Sequence, residues 1–201
     1  MRYAIAAILL ACSTVAQAKV FVDKSGRVPA IGQVKSPRPN GMLSVGSCTL
    51  IDDDHVLSCC HVISHPDITV ILDGVAYKAK VVVIDTFHDW SILKLDRPCR
   101  LPSIRYSNEA AREGDTLFGF GYGKGYGYTV LKAKGGVLKG QIVQGDSGGP
   151  ILNSSGRIVG VCTEKVEARN ESRGFGIGKL KTFIDRWVDS GETLRVVVPE
   201  G

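Results

Sequence analysis

The chain is predicted to be all-β, a barrel or sandwich assembled from short strands. Short runs rich in Val, Ile and Thr recur along its length, and Gly, Asp and Pro punctuate them. The 201 residues are 44% hydrophobic and include 24 glycines, with no low-complexity tract. That composition suits a packed, turn-rich domain and excludes a disordered chain. Helical periodicity is scarce and convincing in one place only, "KLKTFIDRWVDS". There Leu180, Phe183, Ile184, Trp187 and Val188 fall at helical spacing before Gly191.

In order, strands are expected at residues 43–51, 55–58, 68–73, 75–84, 91–95, 116–121, 128–133, 136–142, 150–152, 157–163 and 174–178. Their close spacing is that of a sandwich or barrel. No internal sequence repeat is visible. The stretch "DRPCRLPS" (96–103) reads as a joint, because two prolines interrupt strand pairing there. It divides the chain into lobes of similar size, residues 20–97 and 104–178, followed by a helix at 179–189. The tail "ETLRVVVPEG" reads either as a short edge strand or as loose chain.

The first eighteen residues have the order of a secretory leader: an early charge at Arg2, an apolar run from Ala4 to Ala11, and "AQA" ending at Ala18. Cleavage is expected after Ala18, leaving a domain at 19–201 that is secreted or periplasmic. A lipoprotein signal at Cys12 is the rival reading, weakened by the short stretch before that cysteine. The apolar run is too short to span a bilayer. Removing Arg2 with the leader takes the formal charge from +5 to +4. The charges form no long run, so no nucleic-acid partner is expected.

The stretch "DDDHVLSCCHVISH" (52–65) crowds three aspartates, three histidines and two cysteines together. It reads as a metal site or as the surroundings of one reactive histidine. Zinc sites draw ligands from spaced pairs such as Cys-x-x-Cys, whereas adjacent cysteines on an extended chain point to opposite faces. The reactive histidine is therefore favoured, and no metal, nucleotide or flavin cofactor is expected.

"QGDSGGP" (144–150) is the most informative run. Serine is a weak nucleophile unless a base takes its proton and donors stabilise the resulting oxyanion. Glycines flanking Ser147 let the backbone fold tightly, so that the amides of Gly145 and Ser147 can aim at one point. A reactive serine calls for a histidine base and a carboxylate to orient it. His61 follows an apolar strand in "HVLSCCHVI", and Asp89 precedes another in "HDWSILKL". Asp85 competes for the orienting role, and Asp89 is preferred because "SILKL" follows directly. His55, His65 and His88 are expected outside the site, and Asp52, Asp53 and Asp54 to form a charged hairpin turn.

These motifs resemble the trypsin/chymotrypsin-like serine proteases. "GSCTLIDDDHVLSCCHV", "DWSILKL" and "QGDSGGPILNSSGRIVGV" are similar to the family's histidine, aspartate and serine segments and occur in the family's order across residues 42–188. The resemblance implies two Greek-key β-barrels with the active site in the cleft between them. It further implies hydrolysis of polypeptides through an acyl-enzyme, with His61, Asp89 and Ser147 as the triad and the Gly145 and Ser147 amides as the oxyanion hole. Cys59 and Cys60 stand where the family has two small residues. They read as small buried hydrophobes, or as partners of Cys48 or Cys162 in a disulfide.

The same resemblance puts Gln141 at the floor of the specificity pocket, Thr163 and Lys165 along one wall, and Gly174 at its rim. Gln141 is not an acid, so no demand for Lys or Arg is expected. No Ile-Val-Gly-Gly start occurs to pair with Asp146, so a short bacterial-type or viral-type member, active without tryptic processing, is expected. "GFGYGKGYGY" (119–128) lacks the ending of a phosphate loop and reads as a hairpin. The functional alternative is a catalytically silent relative that binds through the same cleft.

Overall fold

The computed structural model describes residues 23–134, 137–166 and 171–176. The leader at 1–18, the helix at 179–189 and the tail lie outside them. Twelve strands are described, arranged as two closed antiparallel barrels. The first is built from β1 (Ile31–Pro37), β2 (Leu43–Leu50), β3 (His55–Ser58), β4 (Ile68–Leu72), β5 (Val75–Asp85) and β6 (Trp90–Leu95). Around the ring they run β1-β2-β3-β6-β5-β4, closed by pairing of β1 with β4. The second is built from β7 (Thr116–Gly121), β8 (Gly127–Lys134), β9 (Val137–Lys139), β10 (Pro150–Leu152), β11 (Ile158–Val166) and β12 (Glu171–Gly176). Its ring, β7-β8-β9-β12-β11-β10, repeats the order of the first. The two halves thus share one topology with no sequence repeat to announce it. A barrel asks only for alternation and turns, which many sequences satisfy.

The alternation is plain in β4, where Ile68, Val70 and Leu72 are buried and Thr69 and Ile71 only partly so. β3 is buried at all four positions, and Ser58 at its end lies against Gly148 of the second half. Leu152, Ile158 and Val161 of the second barrel join the first barrel's core, which welds the halves.

The eleven expected strands all fall on observed ones within about three residues at each end, with residues 177–178 of the last outside the described ones. The run expected at 136–142 is cut to Val137–Lys139, with Gly140 at φ 147° breaking it. The strand expected at 157–163 runs on to Val166, past a bulge at Thr163. β1 was not anticipated. "IGQVKSP" carries too few apolar residues to announce a strand, yet its Ile31, Val34 and Ser36 are fully buried. Ser36 Oγ accepts the amides of Ser64 and His65 at 3.0 and 2.9 Å, so a polar residue serves an interior position.

Cys48, Cys59, Cys60, Cys99 and Cys162 are all free thiols, and the disulfide considered above is not formed. Cys59 points inward and donates to the Cys162 carbonyl at 2.9 Å, while Cys60 turns to the opposite face. "GFGYGKGYGY" forms the β7–β8 hairpin. Two of its tyrosines reach the first half: Tyr122 donates to Ile31 O at 3.3 Å and Tyr126 accepts Val28 N–H at 2.8 Å. No helix of the described residues is long and apolar enough to cross a membrane.

Candidate active site

The end of β3 delivers Cys59, Cys60 and His61 into a turn, and Asp89 sits immediately before β6. Asp89 adopts φ 56°, a left-handed conformation that aspartate tolerates better than most residues, and this reverses the chain into the strand. Its two carboxylate oxygens are then divided. Oδ1 accepts the His61 amide at 2.9 Å and the Cys60 thiol at 3.0 Å. Oδ2 lies 2.6 Å from His61 Nδ1. A carboxylate only accepts, so the proton of a neutral imidazole resides on Nδ1 and Nε2 keeps its lone pair.

Burial pushes the Asp89 carboxyl up, and the hydrogen bonds from His61 and Cys60 outweigh it, holding the group below the usual carboxylate range. Burial, together with the neighbouring Asp89, pushes the Cys60 thiol up to about 12. Asp85 is paired with His88, whose Nδ1 lies 2.7 Å from its carboxylate. His65 is half-exposed and lies 3.6 Å from Asp67. His55 Nδ1 lies between Asp52 (2.9 Å) and Asp54 (2.8 Å) in the β2–β3 turn.

Ser147 lies on the loop before β10. Gly46 on β2 is where this loop and the histidine turn meet: a Cβ there would overlap both the Val62 side chain and the Ser147 carbonyl. Gly148, at φ 89°, has no room for a side chain either, since a Cβ would run into Ser47 O and Ser58 Oγ. Within the loop, the amide of Asp146 donates to Val143 O (3.0 Å), that of Gly148 to Cys162 O (2.8 Å) and that of Gly149 to Asp146 O (2.9 Å). The amides of Gly145 and Ser147 donate to no group among the described residues. Unfilled backbone donors of this kind, two residues apart in a tight loop, are available to an anion.

The Asp146 carboxylate is bonded by neutral backbone donors. It accepts the amides of Gly123 (2.9 Å) and Val143 (2.8 Å). Reading the residues alone left this partner open, because Gly123 arrives from the β7–β8 hairpin. Ser147 Oγ donates to Thr163 O at 3.4 Å, and among the described residues no hydrogen bond joins it to His61.

Of the residues assigned to a substrate pocket, Gln141 is exposed on the loop after β9. Thr163 forms the β11 bulge beside Ser147, Gly174 pairs with Cys162 across β11 and β12, and Lys165 pairs with Ser172. Among the described residues, two groups of metal-ligating side chains have ligand atoms within 4.8 Å of one another, Cys59–His61–Asp89 and Asp52–Asp54–His55. In each, histidine Nδ1 is engaged by a carboxylate, an arrangement that hydrogen bonding alone accounts for.

Two like barrels, with a histidine–carboxylate pair on one and a glycine-flanked serine on the other, define the architecture of a two-barrel serine peptidase. The chain belongs to the trypsin-like peptidase domain family, whose profile matches residues 46–161, more than half of its length. It is 26% identical over 198 residues to a probable periplasmic serine endoprotease DegP-like of Chlamydia trachomatis, covering 87% of this chain and 40% of that protein. It is 26% identical over 179 residues to the serine endoprotease DegS of Salmonella typhimurium, covering 76% of this chain and 50% of that protein. The chain thus spans half or less of the length of these curated relatives. In fold it is similar to the active form of the Rv3671c protease from M. tuberculosis (TM-score 0.75, 20% identity, 96% of this chain and 97% of that one). It is likewise similar to the serine endoprotease from Yersinia pestis (TM-score 0.70, 23% identity, 83% and 65%).

Proposed function

We propose that the chain is an exported serine endopeptidase that hydrolyses polypeptides through an acyl-enzyme. The observation that carries this reading is the conjunction of two half-sites: a His61–Asp89 pair with Nε2 left as acceptor, and a serine loop with two unfilled amides packed against the histidine turn through Gly46. In the proposed cycle Ser147 attacks the substrate carbonyl and His61 Nε2 takes its proton. The Gly145 and Ser147 amides bind the oxyanion, and His61 returns the proton to the leaving amine. Asp89 holds the imidazole tautomer and stabilises the imidazolium. Ser147 Oγ leaves its bond to Thr163 O for His61 in this cycle, and such catalytic bonds often tighten only when substrate is bound.

Export after cleavage at Ala18 is part of the same proposal. It is supported by the leader-like first residues and by the periplasmic designation of the Chlamydia relative. The pocket is proposed to be lined by Gln141, Thr163, Lys165 and Gly174. With no acid at 141, peptides with Arg before the scissile bond should be cut no faster than uncharged ones, which a peptide-library profile tests.

The Ser147 orientation towards Thr163 favours a second reading, a silent binder built on the same cleft. Fluorophosphonate labelling with peptide hydrolysis separates the two. The peptidase reading expects labelling at Ser147 and turnover, both abolished in Ser147→Ala. A folded wild-type chain that neither labels nor cleaves favours the binder.

A further inference from the structure

Ser47 is wholly buried at the middle of β2, on the first barrel, yet its amide and hydroxyl make three bonds to the second half. Its amide donates to Ser147 O at 2.7 Å. Its hydroxyl donates to Gly145 O at 2.8 Å and accepts the Tyr122 amide at 3.0 Å. Its own carbonyl accepts Ser58 Oγ at 2.8 Å, which fixes the strand beneath it. A hydroxyl has one proton, so donation to Gly145 O commits it, and the Tyr122 amide then finds the lone pair. The arrangement is fully satisfied and has one direction.

We propose that Ser47 is a positioning residue for the oxyanion hole, a role that rests on the peptidase reading above. Gly145 sits at φ 98°, and glycine visits many alternatives to that conformation at little cost. Clamping its carbonyl to Ser47 fixes the peptide that follows it. The Ser47 amide fixes the carbonyl of Ser147 two residues on. Between these clamps, Asp146 is held by Gly123 and Val143. With these groups occupied, the Gly145 and Ser147 amides are left without an acceptor among the described residues and are available to an oxyanion. Ser47 thus lets the first barrel set the shape of a loop that belongs to the second, and the Tyr122 bond ties the β7–β8 hairpin into the same clamp.

The test compares wild type, Ser47→Ala and Ser47→Cys, which retains a weaker donor. Ser47→Ala should lower kcat by about 10- to 100-fold with KM changed little, because the hole acts on the transition state. Inhibition by a peptide aldehyde, which forms a tetrahedral oxyanion, should weaken by the same factor, while a cleaved product peptide binds as before. Ser47→Cys should fall between the two. A merely structural role would shift the melting temperature without this parallel loss. Ser47→Ala with wild-type kcat and aldehyde affinity overturns the proposal. If Ser47→Ala does not fold, undiminished kcat and aldehyde affinity in Ser47→Cys overturns it in the same way. A wild-type chain that neither cleaves peptides nor reacts with a fluorophosphonate overturns the peptidase reading and this role together; an active wild type with an unaffected Ser47 variant removes only the role of Ser47.

Discussion

Asp89 receives three donors from the two consecutive residues Cys60 and His61: an imidazole, an amide and a thiol. The carboxylate is anchored before any substrate arrives, and the imidazole is held by backbone and side chain at once. Replacing Asp89 by Asn keeps the shape but lets the amide donate to Nδ1, which selects the wrong tautomer. Turnover of a peptide substrate at neutral pH should fall by about 10⁴-fold. Circular dichroism should remain that of wild type. A loss of less than about tenfold would contradict the assigned role.

Cys60 is expected to be inert towards alkylation. Its thiol is pushed up to about 12 by burial and by Asp89, so the thiolate is scarce at neutral pH. Iodoacetamide should modify the native chain far more slowly than the unfolded one, as followed by mass spectrometry. Since Cys48, Cys59, Cys60, Cys99 and Cys162 are free thiols, adding dithiothreitol should leave activity and melting temperature unchanged.

Asp146 holds the hairpin to the serine loop through the Gly123 and Val143 amides. Asp146→Ala strands both donors, at a cost of about 2–4 kcal/mol in unfolding free energy measured by denaturant titration. Activity should drop with it, because the loop between Val143 and Ser147 loses its internal brace. Full stability in this variant would mean that water replaces the carboxylate freely.

Stability should fall in acid. Burial pushes the carboxyls of Asp52, Asp85 and Asp89 up, and bonds from His55, His88 and His61 more than offset it, so all three lie below the usual carboxylate range. A carboxyl lowered by folding binds its proton more readily in the unfolded chain. Its contribution is therefore complete above about pH 5, declines as pH falls through the unfolded value near 4, and is gone below the folded value. Asp85→Asn should make that decline shallower by up to about one proton in the slope of unfolding free energy against pH. An unchanged slope would show that the Asp85–His88 pair is not formed in solution.

Gly148→Ala tests the fit of the loop against β2. The residue lies at φ 89° and a Cβ would overlap Ser47 O. Strain and overpacking together should destabilise the chain by about 2–5 kcal/mol. Thermal melting measures this, and a shift of under a degree would mean that the loop can back away from the first barrel.

Much of the architecture was legible because barrels advertise themselves locally. Alternation in "ITVIL" and the turn residues at "LDGV" define β4, β5 and their hairpin without any distant contact. The triad candidates were legible for a similar reason: each sits at a strand end within a short motif. β1 escaped notice because its stabilising groups are remote; Ser36 is buried only because Ser64 and His65 come to meet it.

By itself the sequence determined the strands other than β1, the order of the His61, Asp89 and Ser147 segments, and the glycines without which the serine loop could not turn. Tertiary structure alone decided the partners: Asp146 with Gly123 and Val143, Cys60 with Asp89, and Ser47 with Gly145 and Tyr122. The physical reason is range. Strand patterns and turns follow from neighbours a few residues apart, whereas a buried polar group must be satisfied by whatever the closed barrels bring within 3 Å, and that depends on how the two halves pack.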